Sequence, residues 1–251
     1  MKRFANALVL ALSLAPAASQ AQTTARLWLE SALTNLRGLN RIAVRQAGME
    51  VFGQRERTFL NELWLDLADG GREPRLEARE WVDGTLQRRT IGDGRTLWVY
   101  EPARKRYSAW NYGGYSEDPA ANALQRMLLG FRYRAGGPLG WIARLLDETW
   151  ARDGSRWTPW IPQALEEVGA GGVSVRSSDQ TRGFSFLLTG GPSAGVLTAI
   201  RFAEQQRLPN GGERRAAWEA RIGWTEPPAD AFHFVPEKGA VPVVWQAPRT
   251  Q

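Results

Sequence analysis

The segment "IGDGRTLWVYEPARKRYSAW", Ile91–Trp110, contains the pattern that decides the fold. Apolar and polar residues alternate over Thr96–Glu101 and again over Arg106–Asn111, with the period of two that is typical of strands. The dipeptide Asp93-Gly94 in front of them favours a tight turn, and only a short polar link separates the two runs. The segment therefore predicts consecutive antiparallel strands that carry several large aromatic side chains.

The same alternation continues on both sides of this segment. Upstream, the dipeptide Asp83-Gly84 is a strong hairpin signal between two of the runs. Downstream, the clearest run is Glu213–Trp224, whose apolar and charged residues fall on opposite faces. The further predicted strands are Ile42–Val51, Thr58–Leu67, Leu76–Val82, Leu86–Ile91, Val173–Ser177, Gly183–Leu188 and Val196–Phe202.

Three stretches have apolar residues at helical spacing instead. The first is Ala25–Leu36, with Gly38 after it as a stop. The second begins with the capping residue Asp118 and Pro119, and we expect it to end before Gly130. The third begins at Pro138. Their predicted apolar faces are Ala25, Leu29, Ala32, Leu33 and Leu36; Leu124, Met127 and Leu128, continued by Phe131; and Leu139, Ile142, Leu145 and Leu146.

We predict a mainly β fold, in which a single curved antiparallel sheet forms an incomplete barrel that helices cover. Residues 1–21 resemble a secretory signal peptide, because Lys2 and Arg3 precede the short apolar run Phe4–Ala15 and small residues surround Ala21. That run is shorter than the roughly 20 residues that span a bilayer, so we expect cleavage after Ala21 rather than a retained anchor. We expect residues 22–251 to form one domain in the bacterial periplasm.

The composition excludes several classes of function. The chain has no Cys, which rules out disulfides, thiolate ligands, a thiol nucleophile and lipid attachment to a cysteine after the signal. The net charge is +6, but the Arg residues are scattered along the predicted strands, so we expect no nucleic-acid partner. We expect a soluble, unlipidated monomer.

No catalytic constellation is recognisable. His233 is the only His, so an imidazole metal site is excluded, and no Ser lies in a G-x-S-x-G turn. Gly169–Val173 is Gly-rich but lacks the Lys-Ser/Thr of a phosphate loop. The sequence leaves open a glycosidase-like pair of carboxylates without selecting one. We expect no enzyme activity, no metal and no cofactor.

The chain carries 12 Trp, 9 Phe and 5 Tyr, which leaves two interpretations open. The aromatic residues form an ordinary core, or they line a hydrophobic cavity for an apolar ligand beneath the helices. In the second interpretation the predicted lining and lid residues are Phe59, Leu63, Leu65, Trp98, Tyr100, Leu124, Met127, Leu128, Phe131, Trp218 and Trp224.

Three segments together resemble the outer-membrane lipoprotein carrier family (LolA-type). Gly92–Trp110 is similar to the family's "DGKTLW-Y-P" stretch, and "EDPAANALQRMLLG", Glu117–Gly130, is similar to its lid helix. The closing segment resembles the family's last strands, which end in an F-x-F-x-P-x-G-V pattern. Here that ending consists of Phe232, Phe234, Pro236, Gly239 and, after the inserted Ala240, Val241. The likeness covers most of Ala25–Val244.

The resemblance implies a periplasmic carrier that holds the acyl chains of lipoproteins, or a related lipid, and does no chemistry. It implies two partners, an inner-membrane release complex and an outer-membrane receptor, and a lid face that packs only moderately. In the family an Arg helps to lock the lid, and Arg72 or Arg75 is the candidate here. Arg132–Pro162 is longer than the family pattern. Similar domains occur in envelope-stress regulators, so a sensor or interaction domain is the alternative.

Overall fold

The computed structural model describes residues 27, 31–67, 73–113, 122–135, 137–146, 165–167, 172–178, 182–190, 197–208 and 211–244. The predicted signal peptide therefore lies outside the described residues. Arg72 and the predicted helix start, Asp118-Pro119, also lie outside the described residues. The same is true of residues 136 and 147–162 in the long stretch Arg132–Pro162.

The described strands form one open sheet, in the order β12-β6-β5-β4-β3-β2-β1-β11-β10-β9-β8-β7. All neighbouring strands are antiparallel except β12, which pairs in parallel with β6. The strands are β1 (Arg41–Phe52), β2 (Arg55–Asp66), β3 (Arg75–Val82), β4 (Thr85–Gly92), β5 (Thr96–Glu101), β6 (Arg106–Asn111), β7 (Leu165–Glu167), β8 (Gly172–Ser178), β9 (Arg182–Gly190), β10 (Leu197–Arg207), β11 (Glu213–Gly223) and β12 (Val241–Pro242). The predicted mainly β fold, an incomplete barrel with helices, is confirmed.

The turns of the meander form where the sequence predicts them. Asp83 and Gly84 both have positive φ, at 49° and 76°, which is the backbone that a two-residue hairpin turn requires. The Asp83 carboxylate also accepts a hydrogen bond of 2.8 Å from the backbone N–H of Thr58. Asp93 likewise accepts from the backbone N–H groups of Arg95 and Thr96, at 2.9 and 2.8 Å. These local bonds fix the register of β2 to β5.

Three short helices cover one face of the sheet, which we call the inner face. They are α1 (residues 31–37), α2 (Ala123–Gly130) and α3 (Gly140–Leu146), and a π-helical turn (Phe131–Ala135) and a 3-10 turn (Gly137–Leu139) lie between the last two. Their buried side chains join those of the inner face in one apolar cluster. Within the part of the chain that the structure describes, no helix is long and apolar enough to cross a membrane.

The predicted C-terminal end of α2 is wrong, and the predicted start, Asp118-Pro119, lies outside the described residues. The helix begins after Asn122, whose extended backbone and side chain form a capping box with Gln125, with hydrogen bonds of 2.9 and 3.0 Å. At the other end, Gly130 does not stop the helix, because its φ is not positive and the chain continues into the π-helical turn. Gly130 instead permits close packing, since a Cβ there would collide with the ring of Trp110.

The opposite, outer face of the meander is covered by the C-terminal segment, residues 224–244. Phe234 stacks on Trp98 at 5.0 Å between ring centroids, and its ring also contacts Tyr107 at 5.3 Å and Tyr100 at 5.9 Å. The resemblance led us to expect regular strands at this end. Only β12 is one, and Phe232 has a positive φ of 60° that no continuous strand would contain.

Charged groups hold this C-terminal segment to the outer face. Glu77 is fully buried and accepts from Nε of Arg79 at 2.9 Å and from Nε of Arg89 at 2.6 Å. The same two guanidinium groups bind Asp230 of the segment, at 2.7 and 3.1 Å. The hydrogen bond from Arg79 lowers the pKa of the Asp230 carboxyl. Two arginines thus connect a buried carboxylate of the sheet to the segment above it.

We predict opposite effects for Gly→Ala changes at two helical positions. Gly130→Ala places a methyl group against Trp110 and should lower the free energy of unfolding by about 1–3 kcal/mol. Gly140→Ala meets open space, so its better helix propensity should raise that free energy by up to about 1 kcal/mol. Urea unfolding of both variants tests the packing of α2 on β6. Equal stabilities for the two variants would contradict it.

Candidate ligand-binding face

The inner face presents a run of stacked aromatic rings beneath α3. Trp141 of α3 stacks on Trp218 of β11 at 5.9 Å, and Trp218 stacks on Phe202 of β10 at 5.1 Å. Gly48 of β1 leaves room for this run, because a Cβ there would collide with Trp218 and lie 2.8 Å from the ring of Phe59. Glycine weakens the strand at this position, but only a residue without a Cβ leaves room for the aromatic rings.

Most of the predicted lining and lid residues meet on this face. Leu63 and Leu65 of β2 are fully buried in the cluster that contains the helices. Leu124 and Trp218 pack against the same cluster while partly buried, and Phe59 lies beside Gly48. The lid residues that the cluster buries are Met127, Leu128 and Phe131.

Other predicted site residues lie elsewhere. Trp98 and Tyr100 lie on the outer face, because Leu97 and Val99 take the inward positions of β5. Their partners there are in the C-terminal segment, so they do not line the inner face. Trp224 lies beyond the end of β11, outside the apolar cluster, with the guanidinium of Arg41 5.4 Å from its ring centroid.

Arg75, one candidate for locking the lid, is also on the outer face. Its guanidinium donates a 2.6 Å hydrogen bond to Asp66, its direct neighbour across β2 and β3, and lies 4.8 Å from the ring centroid of Phe232. Because Arg75 alternates with the inward residue Leu76, it points away from α2. The prediction that Arg75 locks the lid is wrong. The other candidate, Arg72, lies outside the described residues.

The lid helix packs more tightly than expected. The side chains of Met127 and Phe131 have no exposed surface, and Leu128 is 4% exposed. Only Leu124 is partly buried, as a moderately packed face would be. The expectation of moderate packing is therefore met at one position of four. The hydrogen bonds between the helical stretch and the sheet include one from Arg88 to the carbonyl of Ala135, at 3.3 Å.

Sequence reasoning missed a line of polar side chains that crosses the inner face. Gln46, Asn61, Glu80 and Arg88 lie side by side on β1, β2, β3 and β4, and we call them the polar row. Gln46 and Asn61 are each 1% exposed, and Asn61 donates a 3.3 Å hydrogen bond to Gln46. The signal was present in the sequence, because each row residue falls at an inward position of a predicted strand.

Glu80 is the one acid of the polar row. Burial raises the pKa of its carboxyl to about 7, and the positive charge of Arg88, 3.7 Å away, opposes this increase. A carboxyl of this kind is an acid–base candidate in principle. Among the described residues, however, no three His, Asp or Glu side chains gather into a metal site, and His233 is exposed on the C-terminal segment. The face is suited to binding an apolar group rather than to polar chemistry.

Comparisons with known proteins find similarity only among solved structures, and at low identity. No family model and no curated protein matches the chain. Among solved structures it is similar to an uncharacterised conserved protein from Thermus thermophilus, with 11% identity, 88% of this chain and 99% of that chain covered, and a TM-score of 0.41. A domain from Vibrio parahaemolyticus described as a candidate outer membrane lipoprotein-sorting protein gives 8% identity, coverages of 80% and 94%, and a TM-score of 0.30.

A DUF1329 family protein from Desulfovibrio piger gives 9% identity, coverages of 83% and 96%, and a TM-score of 0.31. These TM-scores are low, so the likeness carries no argument about what this chain binds. The fold described above therefore rests on its own strand order and helix packing.

We predict a pH-dependent stability that comes from Glu80. Its folded pKa of about 7 lies above the ordinary value of 4.5, so the folded chain keeps a proton that the unfolded chain loses between these values. The stabilisation is complete below pH 4.5 and is lost as the pH rises through about 7. Glu80→Gln stays neutral, so it should remove this slope and be more stable than the wild type by about 2–3 kcal/mol near pH 8.

Urea unfolding at about pH 5 and about pH 8 measures this difference. Glu62→Gln is the matched control, because Glu62 lies on the outer face of β2 and pairs loosely with Arg45, at 3.8 Å. We expect the control to keep the wild-type slope. A wild-type slope in Glu80→Gln as well would show that this carboxyl is ionised at neutral pH.

Proposed function

We propose that this chain is an exported, periplasmic carrier that binds the acyl chains of lipoproteins, or a related lipid, on the inner face and does no chemistry on them. The observation that carries the proposal is the way the helices meet the sheet. Met127, Leu128 and Phe131 reach the inner face with apolar side chains only, and an acyl chain offers the same kind of surface.

The side chains of α2 and an acyl chain would each gain a comparable free energy by covering the inner face. Burying a Leu, Met or Phe side chain contributes about 1.5–3 kcal/mol, so three of them supply roughly 5–9 kcal/mol to helix docking. An acyl chain contributes about 0.8 kcal/mol per CH2, so a chain of about 16 carbons supplies on the order of 12 kcal/mol when fully buried. An acyl chain therefore competes with α2 for this face. Loading would then require the helix to move aside and to close again over the chain.

The proposal also supports delivery between partners. An inner-membrane complex would load the chain and an outer-membrane receptor would accept it, because a buried acyl chain does not leave for water unaided.

A second candidate function is an envelope-stress sensor or interaction domain. The full burial of Met127 and Phe131 favours it, because a helix that never opens behaves as a core element. Leu129 and Tyr133, exposed on the outside of the same helical stretch, would then contact a protein partner. Capture from envelope extracts separates the two functions, since a carrier retains many different lipoproteins and a sensor retains one membrane regulator.

We predict that lipid uptake depends on the buried side of α2 and not on its exposed side. Delipidated protein should bind a fluorescent fatty acid at about one per chain, and Leu124→Asp or Leu128→Asp should abolish this binding while the sheet stays folded. Leu129→Asp is the matched control, because Leu129 is 49% exposed, and it should bind like the wild type.

Thermal unfolding of each variant accompanies the uptake measurement. A folded wild type that takes up no fatty acid would end the carrier proposal. Global unfolding of both Asp variants on the buried side would show that α2 is a fixed core element and would favour the sensor.

A further inference from the structure

The polar row runs across β1 to β4 on the inner face. Register places Gln46 opposite Asn61, Asn61 opposite Glu80, and Glu80 opposite Arg88. On one side of the row the inward residues belong to the helix-covered cluster, among them Val44, Leu63 and Ala78. On the other side lie Gly48, Phe59 and the aromatic run of Trp218. The row therefore lies within one apolar surface, with apolar residues on both sides of it.

Hydrogen bonding in and beside the row is incomplete. Glu80 is 7% exposed, and its Oε1 has no hydrogen-bond partner among the described residues. Arg88 gives its Nη1 bond to the carbonyl of Ala135 and stays 3.7 Å from that oxygen. Thr90, fully buried two residues along β4 on the same face, has an Oγ1 without a partner as well. Buried polar atoms without partners are rare because they destabilise the fold, so these positions are poorly explained by packing alone.

The chemistry of the row selects the kind of group that it would bind. Gln46, Asn61 and Arg88 offer N–H donors, whereas the carbonyl of Asn61 and the carboxyl of Glu80 offer acceptors. A further charged group in this buried place would carry a large desolvation cost. An uncharged group that both donates and accepts hydrogen bonds fits best.

We propose that the polar row is a subsite for the uncharged hydrogen-bonding head, an amide or a hydroxyl-bearing ester, of a ligand whose acyl tail lies along the inner face. The inference rests on the proposed function, since it assigns the tail to the same surface. It adds a rule of selectivity, because an acyl chain with such a head would be preferred over one with a charged head or an acceptor-only head.

Displacement of diphenylhexatriene, a fluorescent hydrocarbon, from the purified full chain tests this selectivity. The competitors share one tail and differ in the head: dodecanamide, the monododecanoyl ester of glycerol, methyl dodecanoate and dodecanoate. We expect the amide, the glycerol ester or both to compete about tenfold better than the methyl ester and the carboxylate, which corresponds to about 1.4 kcal/mol. Whichever of the two wins identifies the natural source of the head.

Variants of one acid locate the preference in the row. Glu80→Leu should remove the tenfold preference, so that the amide and the glycerol ester compete no better than methyl dodecanoate. The variant should fold, because Arg88 is one third exposed and keeps its hydrogen bond to the carbonyl of Ala135. Glu80→Gln keeps a donor and an acceptor and should retain most of the preference. Glu62→Leu makes the same type of change on the outer face, beside Arg45, and should retain all of it.

Two results would overturn the inference in distinguishable ways. If the wild type binds the hydrocarbon and all four competitors displace it equally, or if Glu80→Leu keeps the preference, the row holds ordered water and the carrier function stands without the subsite. If the folded wild type does not bind the hydrocarbon, the proposed function and the subsite fall together.

Discussion

Burial of the inner face by three helices is the interaction on which the rest of the structure depends. α2 has 8 residues, and isolated helices shorter than about 12–15 residues are marginal in water. Their stability must therefore come from contact with the sheet, through side chains such as Met127, Phe131 and Ile142. The sheet in turn stays dry on this face because the helices cover it. A ligand that takes the place of one partner would loosen the other.

The outer face of the meander is covered by a different device with different chemistry. There the C-terminal segment contributes the aromatic ring of Phe234 and the carboxylate of Asp230, which binds two arginines that also hold the buried Glu77. Removing one member of such a buried network leaves an uncompensated charge, so the network favours one position of the segment. A covering held by ion pairs is more specific in position than one held by apolar contact. We therefore assign the exchangeable covering to the inner face and the permanent one to the outer face.

Much of this fold was predictable from local signals. The period of two in β1 to β6 and in β11 gave the strands, and the turn dipeptides Asp83-Gly84 and Asp93-Gly94 gave their connections. Signals of this kind fail where a long-range contact decides. Gly130 was interpreted as a helix stop, but its lack of a Cβ serves contact with Trp110, which lies in a distant strand.

The candidate site was only partly predictable for the same reason. Leu63, Leu65, Leu128 and Phe131 were placed correctly as apolar inward residues. Trp98 and Tyr100 were misplaced, because alternation shows that two sets of residues face opposite ways without showing which set the helices cover. The C-terminal segment, with little regular structure, gives no periodic signal at all. Glu80 and Asn61 are polar residues at inward positions of their strands, so a pattern of apolar residues does not include them.

Hydrogen–deuterium exchange with and without a bound acyl ligand tests the central claim most directly, because it follows both partners of the inner face at once. If an acyl chain competes with the helices, the protection of the backbone amides of residues 123–135 and 140–146 against exchange will change on loading, and we expect it to fall. Those of β1 to β3 will keep their protection, and so will the amides that the C-terminal segment covers. Unchanged protection of both helices in protein that is demonstrably loaded would contradict the account, because the ligand would then lie somewhere other than beneath them.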